Sequence, residues 1–190
     1  EEIYFKEPRN YTLFSGGANG SDLYWQKKAT KLGIRVRAFS FSAHAKNNKA
    51  RVVLSKEQLE QADEHLILAN QTVKRHFPTR KSFVDNLLRR NWYQVKDTLS
   101  VFAIAKLSPS QRTVEGGTGW AVQMAVDQRK DVYVFDTVTS KWHKFDNAIL
   151  KFVRCKTPKL TLLSTGIGTR QLTDTGRKAI ENVFEATFKL

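Results

Sequence analysis

The chain has 190 residues, 41% hydrophobic and 26% charged, which is enough to bury a core and fits one domain better than two. Lys and Arg number 32 against 18 Asp and Glu, a formal charge of +14 that favours anionic partners such as phosphates, nucleotides or nucleic acid. The one cysteine, Cys155, excludes an intramolecular disulfide framework and a Cys-clustered zinc site, and no apolar run approaches the ~20 residues of a membrane span. The opening residues EEIYFKEPRN lack the basic start and apolar stretch of a secretory signal, so a cytoplasmic protein without membrane association is expected.

In chain order, Tyr11-Thr12-Leu13-Phe14 is a short β-prone run that stops at Ser15-Gly16-Gly17. Ser21-Asp22 supplies helix-start chemistry ahead of Leu23, Trp25, Ala29 and Leu32 at helical spacing, and Gly33 ends that helix. The run 34–39 alternates apolar and basic residues as a strand with one wetter face, and 42–50 reads as a polar loop. Ser55 and Gln58 form a capping-box pair before a helix through about Asn70. The basic, proline-containing run 74–81 reads as an exposed connection, and Ser82 opens a further helix with Phe83, Leu87, Asn91 and Val95 on one side. The run 99–105 is nearly continuous in apolar residues, as a central parallel strand requires. Beyond it, GGTG at 116–119 leads into a helix, 132–135 is a buried strand, 137–140 a turn and 141–145 a hairpin return. A strand at 160–164 then meets Gly166-Ile167-Gly168-Thr169-Arg170, and a helix runs from about Thr173 to the end. Strands alternating with helices predict an α/β fold: a Rossmann-like, mainly parallel sheet with helices on both faces, over residues 1–190 as a single domain.

One device recurs three times. SGGANGSD at 15–22, GGTG at 116–119 and GIGTR at 166–170 each follow an apolar strand and precede a helix. Glycine lets backbone N–H groups approach a ligand, and a helix start favours anions. In open parallel sheets such loops gather at the carboxyl ends of the strands. Convergence of the three predicts a phosphate- and ribose-binding crevice. Neither GxxxxGK[ST] nor GxGxxG with an acidic residue downstream is present, which argues against a P-loop NTPase or an ordinary dinucleotide oxidoreductase.

SGGANGSD, RNWYQVKDTLSVFAIA at 90–105, and GGTGWAVQMA at 116–125 followed by VYVFD together resemble the SLOG superfamily. This Rossmann-like group includes YpsA-like proteins, molybdenum-cofactor carriers, LOG phosphoribohydrolases and DprA proteins. The resemblance is greatest to the YpsA-like branch and implies a nucleotide-type ligand held by Ser15, Gly16, Gly17, Ala18, Asn19, Gly20 and Asp22 on one side and by Gly116, Gly117, Thr118, Gly119 and Trp120 on the other. It also places Arg90 and Asn91 on the ligand side. LLSTGIGTRQLTDTGRKAI at 162–180 resembles the unit that usually opens a YpsA-like domain, which implies a circular permutation with the 160–164 strand inserted beside 11–14. Gly166, Gly168, Thr169 and Arg170 then join the binding set, with Arg170 able to pair bidentately with a phosphate.

The LOG motif PGGxGTxxE, laid on this chain, puts Glu115 at the proline, Trp120 at the threonine and Gln123 at the catalytic glutamate. A neutral amide cannot serve as general base or stabilise an oxocarbenium ion by charge. Asp22 is the remaining acid/base candidate, with a helix-start role as its structural alternative, and Trp120 either stacks on a base or packs in the core. His44, His65, His76 and His143 show no metal-ligand spacing, and no metal is expected. The leading expectation is a protein that binds a nucleotide-derived ligand as a sensor or weak hydrolase, with no cofactor assigned. The alternatives are an N-glycoside hydrolase using Asp22, and a single-stranded nucleic-acid binder using the 74–81 run with Lys151, Arg154, Lys156 and Lys159. A homo-oligomer is expected.

Overall fold

The computed structural model describes residues 7–44 and 47–190. Strands β1 (Thr12–Ser15), β2 (Arg35–Ser40), β3 (Arg51–Val53), β4 (Ser100–Ala105), β5 (Asp131–Asp136), β6 (Lys141–Asp146), β7 (Lys151–Arg154) and β8 (Leu163–Gly168) form one sheet. The helices among the described residues are α1 (Ser21–Lys31), α2 (Lys56–Gln61), α3 (Asp63–Val73), α4 (Ser82–Lys96), α5 (Thr118–Asp127) and α6 (Asp174–Phe188). Strand order is β3-β2-β1-β8-β4-β5-β6-β7; the first six run parallel, and β6 and β7 continue antiparallel from β5. This is the Rossmann-like α/β architecture that the alternation of strands and helices predicts.

The pattern of burial explains the order. Every residue of β4 is buried, as its unbroken apolar run dictates for a strand covered on both faces. β4 lies near the middle, between β5 and β8. One face carries a core of Leu13, Trp25, Phe102, Ile104, Ile180 and Phe184 beneath α1 and α6. Trp25 anchors it: the indole is fully buried, lies 6.1 Å from the Phe102 ring and 5.7 Å from Phe184, and donates to Ile167 O at 3.1 Å. The opposite core gathers Leu66, Trp92, Val95, Val101, Val114 and Met124 beneath α3, α4 and α5.

Three features differ from the sequence reading, two of them boundaries. The last strand runs Leu163–Gly168 rather than 160–164, because its pairing with both neighbours (Leu13↔Ser164, Phe102↔Gly166) continues through the two glycines. Gly166 and Gly168 are therefore strand residues, not loop. At Gly166 a Cβ would meet the Trp25 indole at 2.6 Å, so this glycine serves packing. The helix expected over 55–70 is two, α2 and α3, meeting at Ala62; its Ser55–Gln58 capping box forms as read. The buried side of α4 is also more polar than expected: Asp85, Arg90 and Gln94 are buried, whereas Phe83 is 46% exposed.

Candidate functional site

Because six strands are parallel, the segments after β1, β2, β8 and β4 emerge along one edge of the sheet. To one side of β8 the chain steps from β1 through α1 to β2, and to the other from β4 through α5 to β5. Such a reversal opens a crevice at the strand ends, where ligands of α/β sheets bind. β1 and β8 end in it.

The segment Gly16–Gly20 crosses this crevice and is held by a buried acid. Asp22, 5% exposed in the first turn of α1, accepts from Ala18 N at 3.3 Å and from Gly168 N at 3.2 Å, tying the end of β1 to the end of β8. Ser21 strengthens the same link, since its N–H and hydroxyl both donate to Thr169 O, at 3.0 and 2.7 Å. Gly20 sits at φ +86° with the Arg170 carbonyl where a side chain would go, so both its backbone angle and its neighbour require glycine.

Opposite Asp22 stands Arg90 of α4, 5% exposed, donating to Gly16 O and, at 3.2 Å, to Phe39 O. Arg90, Asp22 and Gln94 close around Gly16: a Cβ there would lie 2.6 Å from Arg90 Nη1 and 2.8 Å from Asp22 Oδ2, with Gln94 Nε2 also in its way. Burial pushes the Asp22 carboxyl up to about 6, against the pull of Arg90 and the loop N–H groups. Burial likewise holds the Arg90 guanidinium below its ordinary range, Asp22 opposing that shift and Arg170 adding to it. Four buried polar atoms here have no protein partner: Ser15 Oγ, Gln26 Nε2, Arg51 Nε and Arg90 Nε. Native interiors rarely leave such atoms unmatched.

The end of β2 adds residues that sequence reasoning missed. The His44 ring is lowered to about 4 by burial first and then by the charges of Arg90, Arg170 and Arg51, so it is neutral at neutral pH. The Ser40 hydroxyl donates to His44 O at 2.7 Å and lies 2.9 Å from Nδ1, which makes Nδ1 the ring's donor and leaves Nε2 as its acceptor. Arg51 donates to Phe41 O at 2.7 Å. Gln26 accepts from Asn48 at 2.9 Å beside Gly17. The charges of Arg51, Arg90 and Arg170 all reach His44, and of the three only Arg90 is paired with the buried carboxylate Asp22. One signal in the sequence could have pointed here: Arg90 and Gln94 stand four apart on a helix whose neighbouring positions are core.

The other proposed residues fall elsewhere in the environment. Ser15, Gly16, Gly17, Ala18, Asn19, Gly20, Asp22, Arg90, Gly168, Thr169 and Arg170 are brought together, with Arg170 exposed at the rim. Asn91 is half-buried and takes no part in the hydrogen bonds of this cluster. Gly116 and Gly117 are exposed, and the loop is fastened by Arg75, which donates to Gly116 O and, at 3.3 Å, to Val114 O. Trp120 is 3% exposed and packs edge-on to Phe77 at 6.2 Å, so its indole is a core ring and not a platform for a base. Gln123 is buried and donates to Asp127 at 2.8 Å within α5. Lys156 and Lys159 are exposed in the connection that leads from β7 back to the start of β8, the end of that strand opposite the crevice.

No helix among the described residues is long and apolar enough to cross a membrane. No family model, curated protein or solved structure matches this chain.

Proposed function

We propose that the protein binds a nucleotide or nucleotide-derived ligand at the carboxyl ends of β1, β2 and β8, its phosphate lying against Arg90 and Arg170. The observation that carries this reading is the imbalance of the crevice: the charges of three arginines reach His44 while Asp22 offsets only Arg90, and Ser15 Oγ, Gln26 Nε2, Arg51 Nε and Arg90 Nε are buried without partners. An anion with several acceptor oxygens supplies the missing charge, and those oxygens suit Gln26 and Arg90 as donors. The resemblance of SGGANGSD to SLOG loops points the same way.

Binding is favoured over hydrolysis because Asp22 already accepts loop N–H groups on both oxygens, and Gln123 offers an amide engaged by Asp127. Hydrolysis of an N-glycoside is the second reading, supported by an Asp22 carboxyl that titrates at about 6 and could hold a proton near neutrality. Release of free base from nucleoside monophosphates, abolished in a folded Asp22→Asn protein, is the result that would favour it.

Native mass spectrometry of the purified protein, followed by calorimetric titration with AMP and ADP, tests the binding reading. Ser15→Ala is the informative variant. It removes a buried hydroxyl that has no protein partner, so folding stability should hold or rise slightly, while ligand affinity falls roughly fivefold. A wild-type protein that carries no small molecule and binds neither nucleotide overturns the reading.

A further inference from the structure

Beside the arginines the end of β2 carries an aromatic rim. Phe41 is 3% exposed and forms its base. The His44 ring stacks on Phe41 at 5.3 Å with 22° between the planes, and the Phe83 ring stands edge-on to Phe41 at 5.3 Å and lies 6.4 Å from His44. Phe83 is no core residue: it lies in the first turn of α4 and is 46% exposed. Its two aromatic neighbours fix the ring while leaving a face in solvent.

The rim and the arginines share one strand end. Arg90 donates to Phe39 O at 3.2 Å and Arg51 to Phe41 O at 2.7 Å, so two guanidinium groups are bonded to the backbone that carries the Phe41 ring. The charges of Arg90, Arg170 and Arg51 all reach the His44 ring. An exposed, braced aromatic surface against an arginine cluster matches a molecule with a flat aromatic end and an anionic end. Bases of any sequence stack on such rings because each has a π-face.

We propose that the base of the bound nucleotide stacks on Phe83 and His44 above Phe41, while its phosphate lies against Arg90 and Arg170. This inference rests on the nucleotide-binding reading and assigns the opposite end of the same ligand. It makes Phe83 the residue that separates a nucleotide from a bare sugar phosphate.

The test is calorimetric titration of wild type, Phe83→Ala and Phe83→Tyr with AMP and with ribose 5-phosphate, which shares the sugar and phosphate but has no base. Wild type should bind AMP about tenfold more tightly than ribose 5-phosphate, a difference of ~1.4 kcal/mol. Phe83→Ala should lose that advantage and bind ribose 5-phosphate as wild type does, and Phe83→Tyr should keep it. Equal affinity of wild type for the two ligands overturns the platform without any variant, while leaving the phosphate site standing. Undiminished AMP binding by Phe83→Ala also overturns it. So does an equal loss for both ligands, which would mark Phe83 as structural. Failure of wild type to bind either ligand removes the nucleotide reading, and the platform with it.

Discussion

Two glycine segments that read alike in the sequence are physically unlike. SGGANGSD closes over buried charge: Arg90, Asp22 and Gln94 fill the space a side chain at Gly16 would need. At GGTG a Cβ on Gly116 or Gly117 would meet nothing within 4 Å, and Arg75 uses its guanidinium to hold the loop's carbonyls. Crowding alone does not separate the two, since Gly119 is also tight against Val114 O and the Arg75 guanidinium; what sets Gly16 apart is that a buried charge pair, Asp22 and Arg90, closes on it. The first segment has buried polar atoms in want of partners; the second exposes Gly116 and Gly117 and has its carbonyls held by Arg75.

The largest effect expected from this contrast is on binding. Arg90→Gln should weaken AMP by on the order of a hundredfold, since truncating one member of a buried charge pair costs several kcal/mol. Calorimetry on protein shown to be folded by circular dichroism checks this, and a loss no greater than that of Gly117→Ala would erase the distinction between the loops. Stability should follow the same order. Gly16→Ala forces Arg90, Gln94 or Asp22 to move and should cost about 2 kcal/mol in a urea melt, whereas Gly117→Ala should change it by less than about 0.5 kcal/mol.

Acid titration sharpens the comparison within the crevice, because two groups there act with opposite sign. Asp22 is raised from 3.8 to about 6, so the folded protein holds this proton more tightly than the unfolded chain. Its contribution to stability grows as pH falls through that window, and wild type should gain about 2 kcal/mol on Asp22→Asn between about pH 7 and 4. His44 is lowered from 6.5 to about 4, so its contribution is complete above the higher value and is lost as pH falls through the window. His44→Gln should flatten that acid loss by about 1 kcal/mol, the ring being only half-buried and partly screened. Urea melts of the three proteins across this range decide both, and parallel curves would remove both groups from the linkage.

The smallest effect belongs to the connection from β7 to β8. Replacing Lys156 and Lys159 by Gln should leave AMP affinity within about twofold and flatten the salt dependence of any single-stranded DNA binding. A loss of AMP affinity in that variant would show net charge, not the crevice, to be what attracts the nucleotide.

Much of this protein was legible without coordinates. Short apolar runs alternating with helical spacing determine the parallel sheet, because a continuous apolar strand such as Ser100–Ala105 is stable only with both faces covered. The Ser55–Gln58 capping box and the hairpin return at 141–145 are local devices, and both form, the strand running one residue further to Asp146. The C-terminal strand is readable as a neighbour of β1, but its glycines read locally as loop because their partners are distant: the Trp25 indole is 141 residues from Gly166, and the Ile104 backbone meets Gly168. What only the tertiary structure decided is the inside of the crevice. Arg90 and Gln94 lie more than 70 residues from Gly16, His44 and Arg51 belong to another strand end, and the spacing of Arg90 and Gln94 among core positions of α4 is the one local hint that this arginine is buried. Local sequence specifies backbone shape through spacing and caps, whereas burial, and with it the charge state of Asp22 and His44, is set by which distant strands and helices close over a residue.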